Sequence, residues 1–110
     1  MNWIALNSIN QLDEIRSNAE QVCLIFKHSI RCPVSSMAKR TIEYAATRIP
    51  PGIPVYYLDL INYRDISNAV AEWWQVKHES PQLLLVKGAT CIFHASHGDI
   101  DIDELLKQLS

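Results

Sequence analysis

Val22-Cys23-Leu24-Ile25-Phe26-Lys27-His28-Ser29-Ile30-Arg31-Cys32-Pro33-Val34-Ser35 is the stretch whose reading decides the fold. Its start, Val22 to Phe26, is a continuous apolar run without the alternation of a half-exposed strand, the pattern of a central strand covered by helices on both faces. Its end opens a helical pattern in which Val34, Met37, Ala38, Thr41, Ile42 and Ala45 share one side, with Lys39, Arg40 and Glu43 elsewhere. Proline is favoured at the first helical position, where its missing N–H would lack a helical partner anyway, so this helix starts at Cys32 or Pro33. The loop His28-Ser29-Ile30-Arg31 joins strand to helix.

Working outward, Pro50-Pro51-Gly52-Ile53-Pro54 breaks the chain, and Val55-Tyr56-Tyr57-Leu58-Asp59 follows as a second buried strand. The two strands and their helix make a β-α-β unit, which implies parallel strands and a right-handed crossover. Upstream, Trp3 to Leu6 reads as a short strand, and Ser8 with Gln11 as a capping box for a helix carrying Leu12, Ile15 and Ala19 on one face. Downstream, Asp65 is expected to cap a helix with Ile66, Ala69, Val70 and Trp73 inward. Successive helical residues point about 100° apart, which would leave Trp74 partly exposed. Gln82 to Val86 and Cys91 to Ala95, separated by Lys87-Gly88-Ala89-Thr90, suit an antiparallel hairpin. A last amphipathic helix runs through Ile102, Leu105, Leu106 and Leu109, with Asp99 and Asp101 at its positive end. The order β-α-β-α-β-α-β-β-α predicts an α/β protein with a thioredoxin-like fold, a central mixed β-sheet flanked by helices on both faces.

The chain of 110 residues, 48% hydrophobic, suits one domain over residues 1–110 with enough apolar material for a core. A charged share of 20% and a formal net charge of -2 argue against disorder and against a broad footprint for nucleic acid or an anionic membrane. The amino-terminal residues do not read as a secretory signal, and no stretch is long and apolar enough to span a bilayer. Three scattered cysteines, Cys23, Cys32 and Cys91, are poor material for a disulfide framework, so a reducing cytoplasm is the expected setting. His94 and His97 lack neighbours at metal-ligand spacing, so no metal site is expected. Nothing here indicates an oligomeric state.

Chemistry concentrates at Cys32. As the residue capping a helix it faces free backbone N–H groups and the positive end of the dipole, both of which favour a thiolate. Ser35 stands where a dithiol site has its second cysteine, and a hydroxyl cannot resolve a mixed disulfide. Phe26 stands where dithiol relatives carry a buried acid. Pro81, just before a strand, is expected in the cis form, with the Ser80 backbone offered to an incoming extended peptide or thiol. His28 could pair with the thiolate or donate a proton to the leaving thiol, or be a plain loop histidine. Lys27 reads as a solvated strand-end lysine, and Cys23 and Cys91 as small hydrophobes in strands.

Phe26-Lys27-His28-Ser29 leading into Cys32-Pro33-Val34-Ser35, followed by Ser80-Pro81, resembles the monothiol bacilliredoxins (YtxJ-like proteins) over nearly the whole chain. The family's usual motif is Thr-Cys-Pro-Ile-Ser; here Arg31 replaces the threonine and Val34 the isoleucine, the first adding a cation beside the sulfur. The resemblance implies a cytoplasmic stress-response enzyme that removes bacillithiol from S-thiolated proteins, with no metal or bound cofactor and the low-molecular-weight thiol as co-substrate. Cys32, Ser35 and His28 would serve catalysis, and Arg31, Pro33, Ser80 and Pro81 substrate binding. Two other readings stand beside it: a non-catalytic interaction module in which Cys32 is incidental, and an iron-sulfur carrier, disfavoured because a Cys-Gly-Phe-Ser motif is absent.

Overall fold

The computed structural model describes residues 1–109. Its strands are β1 (Trp3–Ala5), β2 (Val22–His28), β3 (Val55–Asp59), β4 (Gln82–Lys87) and β5 (Thr90–Ser96), and its helices α1 (Ile9–Ser17), α2 (Pro33–Tyr44), α3 (Arg64–Trp74) and α4 (Ile102–Leu106). The strands form one mixed sheet in the order β1-β3-β2-β4-β5. β2 lies at its centre, parallel to β3 and antiparallel to β4. From Cys23 to His28 every residue of β2 is buried, which explains its unbroken apolar run.

Side chains alternate across a strand, so β2 feeds two cores. Cys23 and Ile25 pack with Leu12 and Ile15 of α1 and Ile66, Val70 and Trp74 of α3. Leu24 and Phe26 pack with Ala38 and Ile42 of α2 and Ile102 and Leu105 of α4. Each large side chain of this kind contributes about 1.5–3 kcal/mol on burial, so the strand that leads to Cys32 is anchored from both faces. The predicted fold class and element order hold, including the Ser8–Gln11 capping box and an antiparallel hairpin between β4 and β5. Among the described residues no helix is long and apolar enough to cross a membrane.

Five expectations need correction. α1 stops at Ser17, and Ala19 lies beyond it in an exposed turn closed by Gln21 N–H on Asn18 O at 3.1 Å. A Cβ on Gly88, whose φ is +55°, would come 2.8 Å from Ala19 Cα, so this turn and the hairpin tip fit only because Gly88 is glycine. α3 begins at Arg64 without a side-chain cap, and Asp65 sits in its first turn instead. The buried stripe of α3 is Ile66, Ser67, Val70 and Trp74, shifted toward Trp74, because its indole Nε1 donates to Gly88 O at 2.9 Å. Trp73 is the half-buried member of the pair, with the Arg16 guanidinium 4.0 Å over its ring. On α2 the inner stripe is Ser35, Ala38, Ile42 and Ala45, while Val34, Met37 and Thr41 face solvent. Ser35 takes the inner place because its hydroxyl finds partners there. The fifth correction, at Lys27, belongs to the site.

Candidate active site

Cys32 is the residue before the first turn of α2, with extended φ/ψ of −109° and 118°, and Pro33 occupies the first helical position. The loop from β2 is closed by Cys32 N–H donating to Ser29 O at 3.1 Å, and the first helical bond runs from Ser36 N–H to Cys32 O, also 3.1 Å. The thiol is half-buried and accepts no capping N–H bond in this conformer. What the helix end supplies to the sulfur is therefore the field of its dipole, not a capping hydrogen bond. Around the sulfur, Ile30, Arg31, Pro33 and Val34 are exposed, leaving this end of the molecule open to a partner.

Ser35 is completely buried, and its Oγ accepts the Ser29 N–H at 3.0 Å and lies 2.6 Å from His28 Nδ1. The His28 ring stacks on Phe26, centroids 5.6 Å apart, and tilts against Tyr57 at 5.4 Å. Burial first, then the Lys39 ammonium, hold this imidazole below its ordinary range, against the pull of Asp59, the Ser35 backbone and Glu43. A neutral ring that accepts at Nδ1 lets Ser35 accept from Ser29 and donate to His28, so the hydroxyl is used in both directions. The structure thus brings His28 to Ser35 and commits its Nδ1 there. Phe26, which also meets Trp3 at 5.7 Å, fills the space beneath with aromatic surface.

The Ser80–Pro81 peptide bond is cis. Pro81 O accepts the His97 N–H at 3.0 Å, and His97 with Gly98 lines a groove whose other wall is Val34, Met37, Ala38 and Thr41 of α2. The cis-proline segment is in this way linked to the helix that begins at Cys32. The Ser80 hydroxyl is buried without a hydrogen-bond partner. The preceding residues are held from several sides: Gln82 Nε2 donates to Lys77 O at 3.0 Å, and the Ser96 hydroxyl donates to the Glu79 carboxylate.

Lys27 is not solvated. It has no exposed surface, and its Nζ donates to Ser67 O at 3.1 Å and lies 3.2 Å from His78 Nδ1. Burial brings its pKa down to about 8. The strand period carries the signal that sequence reading missed: Lys27 continues the face of Cys23 and Ile25, and so points under α3.

Cys23 and Cys91 flank Val86 in one row across the sheet. Strands lie about 4.8 Å apart, so these two cysteines are separated by about 10 Å, whereas a disulfide requires Cα atoms about 4.4–6.8 Å apart. Cys23 also stands five residues of strand, about 17 Å, before the end of β2, and Cys32 lies beyond that end. Burial pushes the Cys23 thiol up to about 12 and raises that of Cys91. Neither can resolve a mixed disulfide on Cys32 within the native sheet. Among the described residues no three His, Cys, Asp or Glu side chains converge where a metal could sit.

The sequence matches the family described as monothiol bacilliredoxin BrxC over residues 4–105. Among solved structures, a thioredoxin-fold protein described provisionally as an oxidoreductase is 30% identical, with a TM-score of 0.82 over 97% of this chain and 93% of that one. Thioredoxin from Trypanosoma brucei brucei is 15% identical with a TM-score of 0.76, covering 98% of this chain and 88% of that one. Thioredoxin from Malassezia sympodialis is 16% identical at 0.73, covering 96% and 86%. The two thioredoxins speak to the fold alone. Together with a lone open cysteine at the start of α2, these likenesses place the chain in the monothiol bacilliredoxin BrxC family, as a thioredoxin-fold protein with a thiol redox role.

Proposed function

We propose that this protein is a monothiol oxidoreductase that removes bacillithiol, or a similar low-molecular-weight thiol, from mixed disulfides on proteins. The Cys32 thiolate attacks the sulfur of the small thiol, the protein sulfur leaves as thiolate and takes a proton from solvent, and Cys32 now carries the mixed disulfide. A second molecule of the small thiol, as thiolate, attacks that disulfide and releases the symmetric small-thiol disulfide with Cys32 restored. Electrons balance: the substrate protein is reduced, and two small thiols leave oxidised as one disulfide.

The observation that carries this reading is the isolation of Cys32. Ser35 occupies the resolving position with its hydroxyl fully engaged, and Cys23 and Cys91 are out of reach. Arg31, exposed and next to Cys32 in sequence, offers a cation to an anionic group on the incoming small thiol or protein. Pro33 sets where the helix begins, and the Ser80 backbone before the cis bond is suited to pair with an extended substrate chain. Reduced, unlinked cysteines suit a reducing compartment such as the cytoplasm.

The test is incubation with a protein carrying one bacillithiol mixed disulfide, followed by intact-mass spectrometry. Release by the wild type and its loss in Cys32→Ala support the reading; equal release by both overturns it, and a folded wild type that binds the substrate protein without releasing the thiol indicates an interaction module instead.

A further inference from the structure

Consecutive residues at the end of β2 point to opposite faces of the sheet, and each is tied to a different half of the candidate site. His28 reaches Ser35 in the first turn of α2, which starts at Cys32. Lys27 reaches His78, two residues before Ser80 and the cis bond to Pro81. Further ties of this segment run to Gln82 in β4, to Ser96 in β5 and, through His78, to Ser67 of α3. The Lys27 contact connects it to β2, the strand that leads to Cys32.

We propose that Lys27 and His78 are positioning residues for mixed-disulfide reduction: their contact fixes the segment from Lys77 to Ser80, and with it the Ser80 backbone that receives the substrate chain. This rests on the function proposed above. An ammonium has three donors and no acceptor, so at 3.2 Å the His78 Nδ1 must be the accepting partner. The Ser67 hydroxyl, 3.3 Å from the same nitrogen, can donate to it as well. His78 is therefore neutral in the native state, with its proton on Nε2. The charged groups facing it are Lys27 from β2, Arg64 from α3 and Glu79 from its own segment. Burial, then Lys27 and Arg64, keep its pKa below the ordinary imidazole range, with Glu79 opposing. Protonation would aim an N–H at the Lys27 ammonium, break the tie and release the segment. The reaction should therefore lose substrate affinity on the acid side.

The test compares wild type, Lys27→Met and His78→Asn as full-length chains, using a protein with one bacillithiol mixed disulfide and, separately, the small disulfide dithiodipyridine. Lys27→Met is expected to raise KM for the protein substrate about fivefold with kcat within about twofold, and to leave the rate of Cys32 with dithiodipyridine unchanged. Its acid limb in kcat/KM should disappear, because no tie is left for protonation of His78 to break. In His78→Asn the side-chain oxygen can accept from Lys27 without titrating, so KM should stay near wild type while the acid limb disappears. A folded Lys27→Met with wild-type KM and limb overturns the proposal; so does His78→Asn with the limb intact, which decides the matter if Lys27→Met does not fold. If wild type fails on the mixed disulfide, the functional reading falls separately. NMR titration of His78 in wild type and Lys27→Met then still decides the tie, since an unchanged midpoint overturns it.

Discussion

Ser35 Oγ lies 2.6 Å from His28 Nδ1 and accepts the Ser29 N–H at 3.0 Å, so the hydroxyl that stands in for a resolving cysteine is wholly spent on holding α2 against β2. Ser35→Ala leaves a buried N–H and a buried ring nitrogen without their partner, which costs about 1–3 kcal/mol. Urea unfolding measures this directly, and a loss of less than a few tenths would show that the contact is not formed in solution.

On the proposed function, Cys32 is the one cysteine that the chemistry needs. Replacing both Cys23 and Cys91 with alanine should leave turnover of a mixed-disulfide substrate unchanged, because neither sulfur can reach Cys32 without opening the sheet. The buried Cys23 is expected to register instead as a stability loss of about 1 kcal/mol. A drop in turnover with intact folding would reveal a resolving role.

Lys27 makes the stability of the fold depend on alkaline pH. In the unfolded chain a lysine holds its proton to about pH 10.4, whereas in the native protein Lys27 releases it near 8. Between those values the unfolded state binds more protons, so this group adds stability as pH rises and withholds it below. Cys23 acts oppositely: its thiol is held protonated up to about 12 in the native state, so its contribution falls as the unfolded thiol ionises. The difference between wild type and Lys27→Met isolates the lysine. Lys27→Met should be more stable at pH 7 by about 1–3 kcal/mol, with the gap closing toward pH 10. Urea midpoints at two pH values would show it, and a variant less stable than wild type at pH 7 would refute the assignment.

The two sides of α2 make a paired prediction. Ile42 is fully buried, and Ile42→Ala should cost about 2–5 kcal/mol. Met37 is 61% exposed, and Met37→Ala should change stability by less than about 0.5 kcal/mol. Comparable losses at both positions would mean that the helix is rotated from the orientation described.

The order of elements and the start of α2 were legible because each rests on a local rule, apolar runs and proline at a helix start; the cis bond at Ser80–Pro81 was legible only through the thioredoxin-like fold those elements imply. What escaped were choices made by tertiary partners. The apolar spacing on α2 admits two phases about 100° apart, and the phase is decided by Ser35, a polar residue whose burial depends on His28 and Ser29. On α3 the choice between Trp73 and Trp74 turns on one carbonyl, that of Gly88, supplied by a distant hairpin. From sequence alone Lys27 reads as a surface residue, because its partners, Ser67 and His78, lie far along the chain.

The adjacency of Lys27 and His28 also bears on how the sheet selects its pairing. A slip of β2 by one residue would exchange the faces of every side chain it carries. The ammonium would then enter the aromatic pair of Trp3 and Tyr57 with no acceptor, and the imidazole would lose its serine. Apolar neighbours such as Leu24 and Ile25 tolerate such an exchange far better than a charge does. The two polar residues at the end of an otherwise uniform strand therefore act as a registration mark, penalising misaligned sheets during folding.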